Sequence, residues 1–237
     1  MREIITDPEQ LSGWAREVAL PKEGAEARQI NLELKNIVRE KGLTSLSAPA
    51  IGIDRRMFVI NFNGDIKCFI NPVIVSRSGI GLARETCTSI PDKTFIRPRN
   101  QEIVVNYMTP LGQIMSQKFL GKAAIVFQHE IDHLEGLLLS DVGLEIDEDF
   151  DKASDKEREQ VIKAYIDSLD MKEKELNKEI AEDKDLSEMN EAIEFMRAVQ
   201  KGEVKIEGVP IKRDTEEDNG KTWFRCINYK NRYYSWY

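Results

Sequence analysis

The chain has 237 residues, 41% of them apolar and 32% charged, with a formal net charge of −8. That length suits one domain with a sizeable core plus an extension, or two small domains, and the apolar content suits a globular protein. No run of about eighteen apolar residues is present, which excludes a membrane-spanning helix, and no segment is basic enough to suggest a DNA partner.

The first ten residues, MREIITDPEQ, carry no apolar h-region, so no secretory signal is expected. Residues 24–41 place Ile30, Leu34, Ile37 and Val38 at helical spacing, with Gly42 as the stop. Residues 43–53, small and interrupted by Pro49 and Gly52, read as a loop. MFVINF (57–62) and CFINPVIV (68–75) read as strands around Asn63-Gly64-Asp65, a hairpin signal. EIVVNYM (102–108) and QIMSQKF (113–119) read as a second hairpin around Thr109-Pro110-Leu111-Gly112. A helix is expected from Lys122 to Glu135, ended by Gly136.

At residue 146 the character changes. Residues 146–201 hold 10 basic and 18 acidic side chains, so nearly all the net charge sits there. The pattern is helical, with apolar stripes at Val161, Ile162, Tyr165, Leu169 and at Met189, Ile193, Met196, Val199, expected as packing faces. The last eighteen residues, GKTWFRCINYKNRYYSWY, combine seven aromatics with four basic residues. They could stack bases, but a small β element burying aromatics is the preferred reading. The expected organisation is a catalytic domain at 1–145, an acidic helical extension at 146–202 and an aromatic, basic tail at 203–237. The three cysteines, Cys68, Cys87 and Cys226, are too few and odd in number for a disulfide scaffold, which points to a reducing, cytoplasmic setting.

The strongest chemical signal is His129-Glu130-Ile131-Asp132-His133. Residues four apart share a helix face, so both imidazoles can reach one ion, and Glu130 can touch a water on it. The bland alternative is a surface helix that happens to carry two histidines. Against it, these are the only two histidines in the chain. A catalytic site needs a third protein ligand. Residue 139, where one pattern would put another His, is Leu139. Glu145 and Glu148 are possible, and so is Cys87, which lies in the polar segment Arg84-Glu85-Thr86-Cys87-Thr88-Ser89-Ile90-Pro91.

These residues resemble the peptide deformylase family, whose three blocks are G-x-G-L-A-A-x-Q, E-G-C-L-S and Q-H-E-x-D-H-L-x-G. Gln128 through Gly136 match the third block completely. The second reads Glu85-Thr86-Cys87-Thr88-Ser89, and the first reads Leu43-Thr44-Ser45-Leu46-Ser47-Ala48-Pro49-Ala50. The likeness covers roughly residues 1–142. It implies an α+β fold with small antiparallel or mixed sheets packed around a central metal-binding helix. Cys87, His129 and His133 would bind one divalent metal, iron(II) natively, with zinc or nickel acceptable. Glu130 would be the general base and acid, and the Thr88 backbone N–H an oxyanion donor. Ser45, Leu46, Glu85, Ile125 and Val126 would bind substrate, with Glu85 also paired to Arg99 in support of the Cys87 loop. The substrate would be a formyl-methionyl nascent peptide, with ribosome contact through the C-terminal region.

The chain departs from the family at Ala50, where the family has a glutamine that supports the oxyanion, and at Leu43 and Ser45, where it has glycines. Lys122 replaces an apolar residue near the methionine pocket. The hydroxyl of Ser45 or Ser47 could stand in as a donor. Two other readings follow from these changes: a metallo-amidase or peptidase acting on another N-blocked substrate, and a low-activity metal-binding relative that docks on the ribosome.

Overall fold

The computed structural model describes residues 2–182, 224–227 and 233–236. The chain divides into two compact units, Met1–Arg158 and Glu159–Tyr237.

The first unit opens with a short helix α1 (Pro8–Leu11) and the helix α2 (Gly24–Lys41), which stops at Gly42 as expected. Strands β1 (Ser45–Ser47), β2 (Met57–Phe62), β3 (Asp65–Cys87), β4 (Ile90–Met108) and β5 (Ile114–Leu120) follow, then α3 (Lys122–Leu134). A short helix α4 (Leu139–Val142), strand β6 (Leu144–Ile146) and helix α5 (Glu148–Lys152) complete the run, and helix α6 (Asp155–Glu182) begins in this unit and lies mostly in the second. One antiparallel sheet has the order β1-β2-β3-β4-β5, with β6 also paired to β4. The class is α+β, as expected.

Two helices sandwich the middle of this sheet. Four consecutive residues of β2 are buried, because both its faces are covered. Met57 and Val59 join Ile30, Leu34, Ile37 and Val38 of α2 in one core. Phe58 and Ile60 join Phe127, Ile131 and Leu134 of α3 in another, where Phe58 meets Phe127 edge-on at 4.8 Å between ring centres. Alternation along a strand sends neighbours to opposite faces, so one strand serves both cores.

Three expectations are corrected. Residues 43–53 are not all loop: Ser45–Ser47 pair with Phe58–Ile60 as β1, and Pro49–Ile51 form a 3₁₀ turn. The strand expected at 68–75 runs from Asp65 to Cys87. The polar segment 84–91 is the tip of the β3–β4 hairpin, where Cys87 pairs with Ile90 around Thr88-Ser89. Its polarity is that of a strand with one wet face: Arg84, Thr86 and Thr88 are exposed, while Glu85, Cys87 and Ser89 are buried.

Both glycine signals hold where geometry demands them. Asn63 and Gly64 take φ of 52° and 100° between the paired residues Phe62 and Asp65, a turn in which glycine has no steric cost. Gly136, at φ 69°, lies so close to Ser12 that a Cβ would strike the Ser12 carbonyl.

Strand β6 straddles the boundary expected at 145/146, and Arg84 on β3 pairs with Asp151 of α5 at 2.7 Å. The first unit therefore continues past residue 146. In the second unit, Ile162, Tyr165 and Leu169 of α6 are half-buried and Val161 is exposed. The stripe at 189–199 lies outside the described residues. Strands β7 (Phe224–Ile227) and β8 (Tyr233–Trp236) pair as a two-stranded antiparallel sheet.

Candidate metal centre

The end of β3 delivers Cys87 to the face of α3 that carries His129 and His133. One ligand atom from each of the three lies within 4.8 Å of the other two. Cys87 Sγ is 3.2 Å from His133 Nε2, and the two imidazole rings are 4.9 Å apart between centres. Ligand bonds of about 2.0–2.3 Å to a tetrahedral ion separate neighbouring ligand atoms by roughly 3.5 Å. The thiol and imidazoles are therefore already spaced to share one ion, and the set fits a borderline divalent metal. Among the described residues this is the one Cys/His/carboxylate group so arranged. The alternative third ligands are committed elsewhere: Glu145 pairs with Lys93 and Glu148 with Lys152, each at 2.9 Å and exposed.

Behind the ligands runs a buried ion-pair chain. His129 Nδ1 meets Glu85 Oε2 at 3.0 Å, which leaves Nε2 free for a metal. Glu85 takes a two-pronged pairing from Arg99, at 2.7 and 3.0 Å. Arg99 also reaches Asp132 at 2.7 Å, and Asp132 pairs with Arg97. Burial alone would raise the Glu85 carboxyl, but His129 and Arg99 overrule it and hold its pKa at about 2. Burial opposes a charge on His129, yet Cys87 and Glu85 together push its pKa up to about 10 without a metal, so a cation bound at Nε2 would take the place of the proton there. His133 is pushed down to about 3 by burial and by its neighbour His129, so it is a neutral imidazole ready to ligate.

Arg99 is only 4% exposed. Arg99→Leu would leave Glu85 and Asp132 without their shared cation, and breaking a buried pair from one side costs about 3–5 kcal/mol. A chemical denaturation midpoint should fall accordingly. An unchanged midpoint would mean that water replaces the guanidinium.

The cleft in front of the ligands holds about 220 Å³ and is walled by Leu43, Thr44, Ser45, Leu46, Ser47, Ala50, Thr86, Thr88 and Glu130 besides the ligands. Glu130 is 3% exposed, and its Oε2 is buried with no hydrogen-bond partner. Burial raises its carboxyl above the ordinary value, while His129, Ser45 and Ser47 pull the other way.

Of the residues singled out in the sequence, Ser45, Leu46, Cys87, Thr88, His129, Glu130 and His133 meet at this cleft. Glu85 stands behind His129 rather than in the wall. Ile125 and Val126 lie on α3 one turn before His129, half-buried and off the cleft wall, with Val126 packed against the Phe127 core. Arg97 was not anticipated, and the partners of Asp132 were not assigned. Their pairing joins β4 to α3 across 35 residues, a separation that no local pattern marks.

The family described as polypeptide deformylase matches residues 1–147. A peptide deformylase of Karelsulcia muelleri is 36% identical over 118 residues, 47% of this chain and 62% of its own length. One from Syntrophomonas wolfei is 31% identical over 145 residues, 60% of this chain and 93% of its own length. The chain thus spans under two thirds of the first of these relatives and nearly all of the second. The crystal structure of peptide deformylase from Thermotoga maritima superposes with a TM-score of 0.56 at 30% identity, covering 60% of this chain and 97% of that one. A probable peptide deformylase from the Synechococcus phage S-SSM7 gives 0.56 at 29% identity, covering 60% and 99%.

Proposed function

The chain belongs to the polypeptide deformylase family, and from that premise we propose that it is a metal-dependent hydrolase that removes the N-formyl group from the initiator methionine of nascent peptides, releasing formate. The observation that carries this reading is the meeting of Cys87, His129 and His133 in one cleft, with Glu130 buried beside them. Bound there, a divalent ion would supply the positive charge that makes hydroxide available near neutral pH and polarises the formyl carbonyl. Cys87 Sγ and the two imidazoles would hold it. Iron(II) is the proposed native ion, and a thiolate with two imidazoles also accepts zinc or nickel.

Glu130 accepts the proton of the attacking water and passes it to the leaving amine. Its low exposure keeps bulk water from competing for that proton. The backbone N–H of Thr88, in the turn at the cleft rim, donates to the oxyanion that develops on the formyl oxygen. Ser45 and Leu46 form the wall along which the peptide lies. Ile125 and Val126 are assigned to the methionine end of the substrate, and Glu85 acts on it only through His129. We place the protein in the cytoplasm, in contact with the ribosome through its C-terminal region; no described helix is long and apolar enough to cross a membrane.

Formate release tests the reading. Metal-loaded protein should hydrolyse formyl-methionyl peptides and spare acetyl-methionyl and unblocked ones. Preference for the acetyl peptide would point to a different metallo-amidase, and a fully loaded protein with no turnover would sink the deformylase reading.

One observation favours a low-activity relative as the second reading: Ala50 is 3% exposed in the cleft wall and has no side-chain donor. Ala50→Gln should then raise kcat, by up to the roughly 100- to 1,000-fold that one oxyanion donor is worth, with less change in KM. A neutral or harmful Ala50→Gln would mean that the wild-type cleft is not short of a donor.

A further inference from the structure

Strand β1 brings two hydroxyls, those of Ser45 and Ser47, to the cleft. Alternation along the strand puts Ser45 and Ser47 on one side and Leu46 on the other. Leu46 packs into the α2 core as well as bordering the cleft, while both serines line the cleft with Glu130. Ser47 is fully buried, yet its Oγ has no hydrogen-bond partner, and neither does the buried Glu130 Oε2. A buried hydroxyl and a buried carboxylate oxygen left unpaired are each costly. Each is the other's remedy, because a hydroxyl donates and an ionised carboxylate only accepts.

We infer that Ser47, with Ser45 beside it, is a positioning residue that fixes the Glu130 carboxylate for proton transfer. The inference rests on the deformylase reading for its kinetic consequence. The serine–carboxylate pairing stands apart from that reading. A carboxylate gripped by donors keeps one oxygen aimed at the reacting water, while an ungripped one swings between rotamers. A small rotation at the base is enough to lower the rate, since proton transfer needs hydrogen-bond reach.

The test uses the full chain with Ser47→Ala, alone and combined with Glu130→Gln. Kinetics with a formyl-methionyl peptide should show kcat lower by roughly 10- to 100-fold, the range of a hydrogen bond to a charged group. KM should stay within about twofold, and metal should stay at one per chain. The carboxylate infrared band of the metal-free protein should shift on Ser47→Ala, and the shift should vanish in the Glu130→Gln background. Unchanged kcat, or loss of metal along with activity, would overturn the inference. An infrared shift independent of Glu130, or no shift at all, would overturn it too, and a fall in kcat without the Glu130-dependent shift would put the hydroxyl on the substrate instead. If wild-type protein releases no formate, the deformylase reading falls, and the infrared comparison still decides the pairing.

Discussion

Replacing Glu130 with glutamine will leave one metal per chain in place and cut formate release by roughly 100- to 10,000-fold, the contribution of a positioned proton-transfer group. Glutamine has nearly the same shape, so the cleft should keep its form. Glu130 is not among the three residues whose ligand atoms converge, so the metal should stay. What the amide cannot do is accept a proton and give it back. The loss should therefore appear in kcat, with KM nearly unchanged, because proton transfer strengthens only on the way to the transition state. Activity of the variant within tenfold of wild type would assign the base to another group. Loss of metal would mean that Glu130 is a ligand after all.

The parts of this site that could be read in the sequence are the local ones. His129 and His133 share a helix face because four residues make about one turn, and Gly136 marks the stop because the next turn runs against Ser12. Asn63-Gly64 gave its hairpin for the same reason: the backbone conformation is written in two adjacent residues. What could not be read depends on distant pairing. Ser45-Leu46-Ser47 is three small or mixed residues and becomes a strand only because β2 lies beside it. The tip of the β3–β4 hairpin reads as a polar segment, since one wet face and a buried ion pair put five polar residues, Arg84, Glu85, Thr86, Thr88 and Ser89, around Cys87. The sequence placed Glu85 opposite Arg99 through the family likeness, but Asp132 and Arg97 close the chain of charges through contacts no spacing reveals. Family likeness also assigned Ile125 and Val126 to substrate, whereas α3 enters the cleft wall at His129, Glu130 and His133, and the rest of the wall is drawn from residues 42–47, the 3₁₀ turn and the hairpin tip.

Cys87→Ala and His133→Ala will each abolish stoichiometric metal binding. Removing a residue that merely orients a ligand commonly weakens metal affinity by about 10- to 100-fold, so removing a ligand itself should cost more than about 100-fold. Two remaining ligands do not make a closed set, and the two other glutamates weighed as third ligands are engaged elsewhere: Glu145 and Glu148 are held by Lys93 and Lys152. The two variants should differ in a second measurement. Cobalt loaded into wild type should show a thiolate charge-transfer band, because among the described residues Cys87 is the one cysteine beside the histidines, and Cys68 is buried in the α2 core with its thiol pushed up to about 12. His133→Ala, forced to bind at high cobalt, should keep that band, and Cys87→Ala should lack it. Folding should survive in both, since neither side chain belongs to the two large cores, and the thermal midpoint of the metal-free variants should stay close to that of the metal-free wild type. Either variant holding one metal per chain after dialysis against a weak chelator would refute the three-ligand assignment.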